Sequence, residues 1–178
     1  TEGLVVRKPR RGVFVSEMSA EGEWEAYTLK AALYEMATEL AMNTISATQI
    51  SELDTIVRQM EGCVKAQPVD LLQYQEYHQN FHHKITVISG HDRLKKISVS
   101  IHNQVGRFSY QSLQNKSHLQ SSVRYHRRIV NAINAKDKTL ACRLMKDHVL
   151  EALAVLLSMP GLQEENASPK RPAATVGV

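Results

Sequence analysis

From Glu23 to about Ser158 apolar residues recur every three or four positions and strand signals are absent, a pattern that amphipathic helices satisfy and strands do not. Punctuation inside that stretch divides it into six. The first helix is expected from about Glu23 to Asn43, with Leu29, Ala32, Leu33, Met36, Ala37, Leu40 and Ala41 as its buried stripe. Ser46 followed by Gln49 is a capping-box signature, and it opens a second helix carrying Ile50, Leu53, Ile56, Val57 and Met60 and ending near Gly62. Pro68 at a first-turn position opens a third, about 68–88, closed by Ser89 and Gly90. A fourth follows from about Asp92 to Tyr110 and a fifth from about Ser117 to Asn134. A sixth runs from about Lys138 to Ser158, behind Asp137 as N-cap. The predicted fold class is all-α, an antiparallel bundle of six helices.

The two ends read differently. GLVVRKPRRGVFV, residues 3–15, holds two short β-prone runs, Leu4–Val6 and Val13–Val15, around a basic turn with Pro9 and Gly12. That is a β-hairpin. A lone hairpin is not a stable unit, so it is expected to have packed on residues upstream of Thr1. After Pro160 the chain turns polar and rich in Pro and Ala, and disorder is expected there. The organisation read from the sequence is a hairpin and linker over 1–18, a helical domain over 19–159 and a tail over 160–178.

Composition narrows the function classes. Apolar residues make up 43% and charged residues 22%, ordinary for a globular protein. No apolar run approaches the roughly 18 residues of a membrane span, and no signal-peptide core follows the N-terminus. Cys63 and Cys142 stand far apart without CxxC spacing, which suits a reducing cytosol. The net charge of +4 is modest. Its distribution is not, since Arg7, Lys8, Arg10 and Arg11 crowd around Pro9. A solvated loop accounts for such a cluster, and so does contact with phosphates.

Of the 8 histidines, 3 fall in the short run HQNFHHKI. His78 and His82 are four apart and share one helical face, whereas His83 points roughly 100° away and is expected to face solvent. His126 lies on the apolar stripe of the fifth helix and His148 on that of the sixth. Their midpoint is position 137, inside the predicted turn. Residues equidistant from the turn of an antiparallel hairpin sit at one height, so the two can face each other. Packing the third helix against this pair makes a cage of four imidazoles. Buried together, such rings repel if charged and leave lone pairs unsatisfied if neutral. A divalent metal resolves both problems, and inward histidines on bundle helices are a recurring way to hold one. The plainer alternative is that these histidines border a core and bond to backbone or water. His91, His102 and His118 have no partner at helical spacing and are read as surface residues.

Three stretches together resemble a known family. FHHKITVISGHDRL is similar to the FH…SGNPRL segment of the FCD ligand-binding domain of FadR-type GntR bacterial transcription regulators. HRRIVNAINAKDKTLACRLMKDHV is similar to the H–I–AI–D–A–M–H signature of that domain's last two helices. EGLVVRKPRRGVFV resembles the wing of the winged-helix DNA-binding domain that precedes it. The resemblance implies a cytoplasmic homodimeric regulator that binds operator DNA and senses a small organic acid beside a divalent metal. It implies His82, His126 and His148 as metal ligands, and Arg7, Lys8, Arg10 and Arg11 near DNA. It places Lys30 where the family has an effector-binding arginine, and lysine offers a point charge without a bidentate fork; a solvated helix lysine is the plainer alternative. His78 stands where the family has aspartate. With His78 as the fourth ligand, four neutral imidazoles leave the dication uncompensated and favour zinc or nickel over manganese; alternatively His78 is swung away and three histidines bind alone. A metal-free regulator of the same fold that binds an acyl ligand, and a histidine-cluster metalloenzyme, remain the alternatives.

Overall fold

The structure is a computed structural model and describes residues 5–8, 12–15 and 19–159. Two strands, β1 (Val5–Lys8) and β2 (Gly12–Val15), form the expected hairpin. They pair antiparallel with Val5 opposite Val15 and Lys8 opposite Gly12. Arg7 and Lys8 lie in β1. Arg10, Arg11 and the polar tail fall outside the described residues.

Six helices follow: α1 (Ala20–Ala41), α2 (Ala47–Lys65), α3 (Leu71–Ile88), α4 (Asp92–Leu113), α5 (Lys116–Asn134) and α6 (Lys138–Leu157). α1 packs most closely on α6 and also meets α4 and α3, α2 lies against α3 and α5, and α5 against α6. Each start has a side-chain cap. Ser46 and Gln49 make the full reciprocal box. Asp70, Asn115 and Asp137 accept from Gln73, His118 and Leu140, satisfying amides that a helix start leaves without partners. No helix among the described residues is long and apolar enough to cross a membrane.

Three expectations are corrected. α1 starts earlier than expected because Ser19 accepts from the amide of Gly22. α3 starts at Leu71 and not at Pro68, because Asp70 supplies the cap. The third correction concerns which side of α1 is inward. Leu29 and Met36, assigned to the buried stripe, are 46% and 45% exposed. Ala37 and Ala41 are buried as expected, and the rest of the inward face is Glu23, Ala26, Tyr27, Lys30, Ala31, Tyr34 and Thr38. Both sets recur at helical spacing, so periodicity alone does not choose between them. The choice is made by what α1 covers, where Tyr34 stacks on His82 and the hydroxyls of Tyr27 and Ser109 meet beside the ammonium of Lys30.

Candidate metal centre

α3 sets the site. Its capped start fixes a register in which Tyr74, His78, Phe81, His82 and Ile85 all point inward and are buried. His78 and His82, one turn apart, have ring centroids 4.7 Å from each other. The α5–α6 hairpin supplies the rest. Its tight turn puts Lys136 at φ 58, and Asp137 bonds back to the carbonyl of Ala132. His126 and His148, equidistant from that turn, face each other with centroids 4.4 Å apart.

The four rings form one cluster. The remaining centroid separations lie between 5.0 Å and 5.5 Å, and one nitrogen from each ring falls within 4.8 Å of all the others. The Nε2 atoms of His78 and His148 are 3.3 Å apart, as are those of His82 and His126. All four side chains are buried, His126 completely.

Protonation follows from this burial. Removal from water pushes His126 down to about 4, and it holds His78, His82 and His148 well below the ordinary histidine range, with neighbouring positive charge adding to the effect. The rings are therefore neutral. Nδ1–H of His126 donates to the carbonyl of Ser122 at 2.7 Å, which leaves the lone pair on Nε2, aimed into the cluster. Nδ1 of His78, His82 and His148 has no partner among the described residues.

Such a donor set fits a divalent ion. A tetrahedral ion with bonds of about 2.0–2.1 Å separates neighbouring nitrogens by roughly 3.3–3.4 Å, and the two Nε2 contacts match that spacing. The backbone bond that fixes the tautomer of His126 is the kind of support that metal-binding histidines receive. Aromatic rings wall the cluster: Tyr34 stacks on His82 at 4.7 Å, Phe81 meets His126 edge-on at 4.8 Å, and Tyr125 lies 5.8 Å from His148.

Lys30 lies beside this centre. It is 3% exposed, and its Nζ is 3.4 Å from Oγ of Ser109. The rings of Tyr27 and Tyr34 lie 5.3 and 5.5 Å away. Among the described residues no carboxylate pairs with it, and burial pulls its pKa down to about 8. Its charge helps to depress His78, His82 and His148, so the ammonium lies within electrostatic reach of the cluster.

The other histidines divide. His83 is exposed as expected, and His91 caps α4 by accepting from Leu94. His118, read as a surface residue, is buried and faces Glu151 at 3.6 Å. His102, also read as surface, is partly buried, and burial lowers it to about 4. Sequence reasoning missed Glu23, which is fully buried with both carboxyl oxygens lacking a hydrogen-bond partner among the described residues. Its place on the polar face of α1 was the available signal. Arg127 was also passed over. It clamps α5 to α2 through Asp54 and, at 2.8 Å, Glu61.

The fold and this centre together define a class. The model of the FCD domain matches residues 25–151, and the chain belongs to that family. Among solved structures, E. coli McbR/YncC superposes with a TM-score of 0.79 at 16% identity, over 87% of this chain and 77% of that one. A GntR-family transcriptional regulator from Pseudomonas syringae pv. tomato str. DC3000 gives 0.66 at 18% identity, over 92% and 66%. Streptococcus agalactiae GntR gives 0.59 at 20%, over 86% and 75%. No curated protein sequence matches the chain significantly.

Proposed function

We propose that this chain is the effector-sensing part of a metabolite-responsive transcription regulator. In this reading His78, His82, His126 and His148 hold a divalent transition metal, zinc or nickel from the all-nitrogen donor set. The observation that carries it is the convergence of four buried, neutral imidazoles from three helices, whose Nε2 atoms meet in pairs at 3.3 Å. When bound, the ion supplies a Lewis-acidic anchor for a carboxylate. Lys30 supplies a second positive group, and the rings of Tyr34 and Phe81 keep water from the anion. A buried ammonium without a counter-ion is costly unless an anion joins it, so Lys30 supports an organic-acid effector. Among the described residues no Asp or Glu belongs to the cluster. That favours a sensor over a metalloenzyme.

Lys30 lies on α1, the helix that directly follows the hairpin. A carboxylate drawn to Lys30 therefore acts on the element joined to β2. In the proposed full regulator Arg7, Lys8, Arg10 and Arg11 contact operator DNA, each phosphate contact steepening the salt dependence of binding. A cytoplasmic homodimer shifts between DNA-binding and free arrangements, with a coupling of about 1–3 kcal/mol. Elemental analysis of protein purified without chelator is the test. One equivalent of zinc or nickel in the wild type, lost in His126→Ala, is expected. Absence of metal from the wild type overturns the reading.

A further inference from the structure

All four rings of the cluster are buried, His82 to 2% exposure. An ion reaches them only where the wall around them opens, and a metal site is complete only with an entry path. A cavity of about 420 Å³ between α3 and α4 meets that wall from outside, and its lining holds no residue of the cluster. Tyr34 separates the two. It lines the cavity, is 4% exposed, and stacks on His82 with ring centroids 4.7 Å apart. One aromatic ring therefore stands between the cavity and a histidine of the cluster.

The cavity is graded in depth. Glu76 and His83 are exposed, His102 is half-buried, and Tyr34 closes the inner end. Their chemistry suits a passing cation. Glu76 on α3 supplies a carboxylate, and among the described residues no lysine or arginine lines the cavity to cancel it. His83 on α3 and His102 on α4 supply imidazoles. Burial, with the charges of Lys30 and His83 adding to it, lowers His102 to about 4, which keeps the ring neutral near pH 7 with a lone pair to offer. Carboxylate oxygen and imidazole nitrogen are both ligands of zinc and nickel. On α1 the ammonium of Lys30, 5.5 Å from the centre of the Tyr34 ring, opposes a dication at the inner end. Ligands short of that point give the ion a foothold before it passes.

We infer that the α3–α4 cavity is the loading route of the metal centre, with Glu76, His83 and His102 as transient ligands of a divalent cation and Tyr34 as the gate that swings off His82 to admit it. This rests on the metal reading above and adds how the ion enters. Among the described residues only the cluster gathers three or more metal-binding groups at one point, so the three groups of the cavity pass an ion on and do not keep it. Gates of this kind set rates and not equilibria.

The test follows uptake of cobalt(II) by metal-free protein through its visible absorption, and release of the bound ion to excess EDTA. Val99→Trp, at a lining position that is 41% exposed, is expected to slow uptake and release at least tenfold each, with their ratio unchanged. Tyr34→Ala is expected to speed both at least tenfold, and should it fail to fold the other variants decide. His83→Ala combined with His102→Gln is expected to slow both at least fivefold. Cobalt bound with rates within twofold of wild type in either Val99→Trp or the double histidine variant overturns the inference and leaves the metal reading intact. Absence of cobalt from the wild type removes both.

Discussion

Lys30 and Glu23 sit in surroundings that disfavour their charged forms, and both make that cost measurable. Lys30 has its pKa lowered from 10.5 to about 8 by burial, so the folded state disfavours the ammonium. The penalty is full below pH 8 and fades as pH rises towards 10.5, where the unfolded chain also loses its proton. In metal-free, ligand-free protein, Lys30→Met should therefore raise stability at pH 7 by on the order of 3 kcal/mol. Urea unfolding from pH 7 to 10 should show the gap closing. The sign for Glu23 is reversed. Burial raises it from 4.5 to about 7, with Arg107 opposing. The folded state binds a proton between those values that the unfolded state has released, so stability falls as pH rises from 4.5 to 7. Glu23→Gln should match wild type at pH 4 and exceed it at pH 8 by on the order of 1–3 kcal/mol. At this scale the sequence was legible where spacing decided the matter. Helical period put His78 and His82 on one face and hairpin symmetry set His126 opposite His148, whereas the packing of α3 on that pair could only be assumed. His102 and His118 could not be placed, because their burial depends on how α4 and α5 are covered by other helices, which no local pattern records.

At the scale of elements, caps were legible and faces less so. Ser46, Asp137 and the α5–α6 turn follow from a few adjacent residues, and the structure places them as read. Ser46→Ala should lower stability by about 1 kcal/mol without moving any metal-binding property, as thermal denaturation with and without zinc would show. α1 is the counter-example. Its leucine and methionine set gave the more apolar stripe, yet the face carrying Tyr27, Lys30 and Tyr34 turns inward, where Tyr34 stacks on His82 and Lys30 meets Ser109. A helix that covers a site is chosen by the chemistry of the site, which is distributed over α3, α5 and α6. Arg127 belongs to this scale too, since its two carboxylate partners hold α5 against α2. Removing it should cost about 1 kcal/mol, measurable by the same denaturation.

The whole molecule adds linkage. Anything that binds only the folded state raises its stability by RT ln(1 + [L]/Kd), about 2.7 kcal/mol at a hundredfold excess over Kd. For a domain of this size each kcal/mol corresponds to roughly 2–4 °C. Zinc at that excess should therefore raise the melting temperature by roughly 5–10 °C, an increment absent in His126→Ala and reversed by a chelator. The bundle itself was legible as a whole because periodicity holds almost without interruption across the helical stretch. The pairing of helices was not, beyond the α5–α6 hairpin, since long-range packing leaves no signature in adjacent residues.

The cluster also joins distant parts of the chain. The contact between His82 and His126 spans 44 positions, and that between His78 and His148 spans 70. A covalent cross-link closing loops of such length constrains the open chain by about 4 kcal/mol in the chain-entropy model. An ion held by these four rings is a cross-link of the same reach that can be cut and remade without chemistry on the chain. Under that proposal, metal supply would set whether α3 moves as one body with α5 and α6 or separately from them, and slower amide hydrogen exchange in α3 upon adding zinc is how that would be seen.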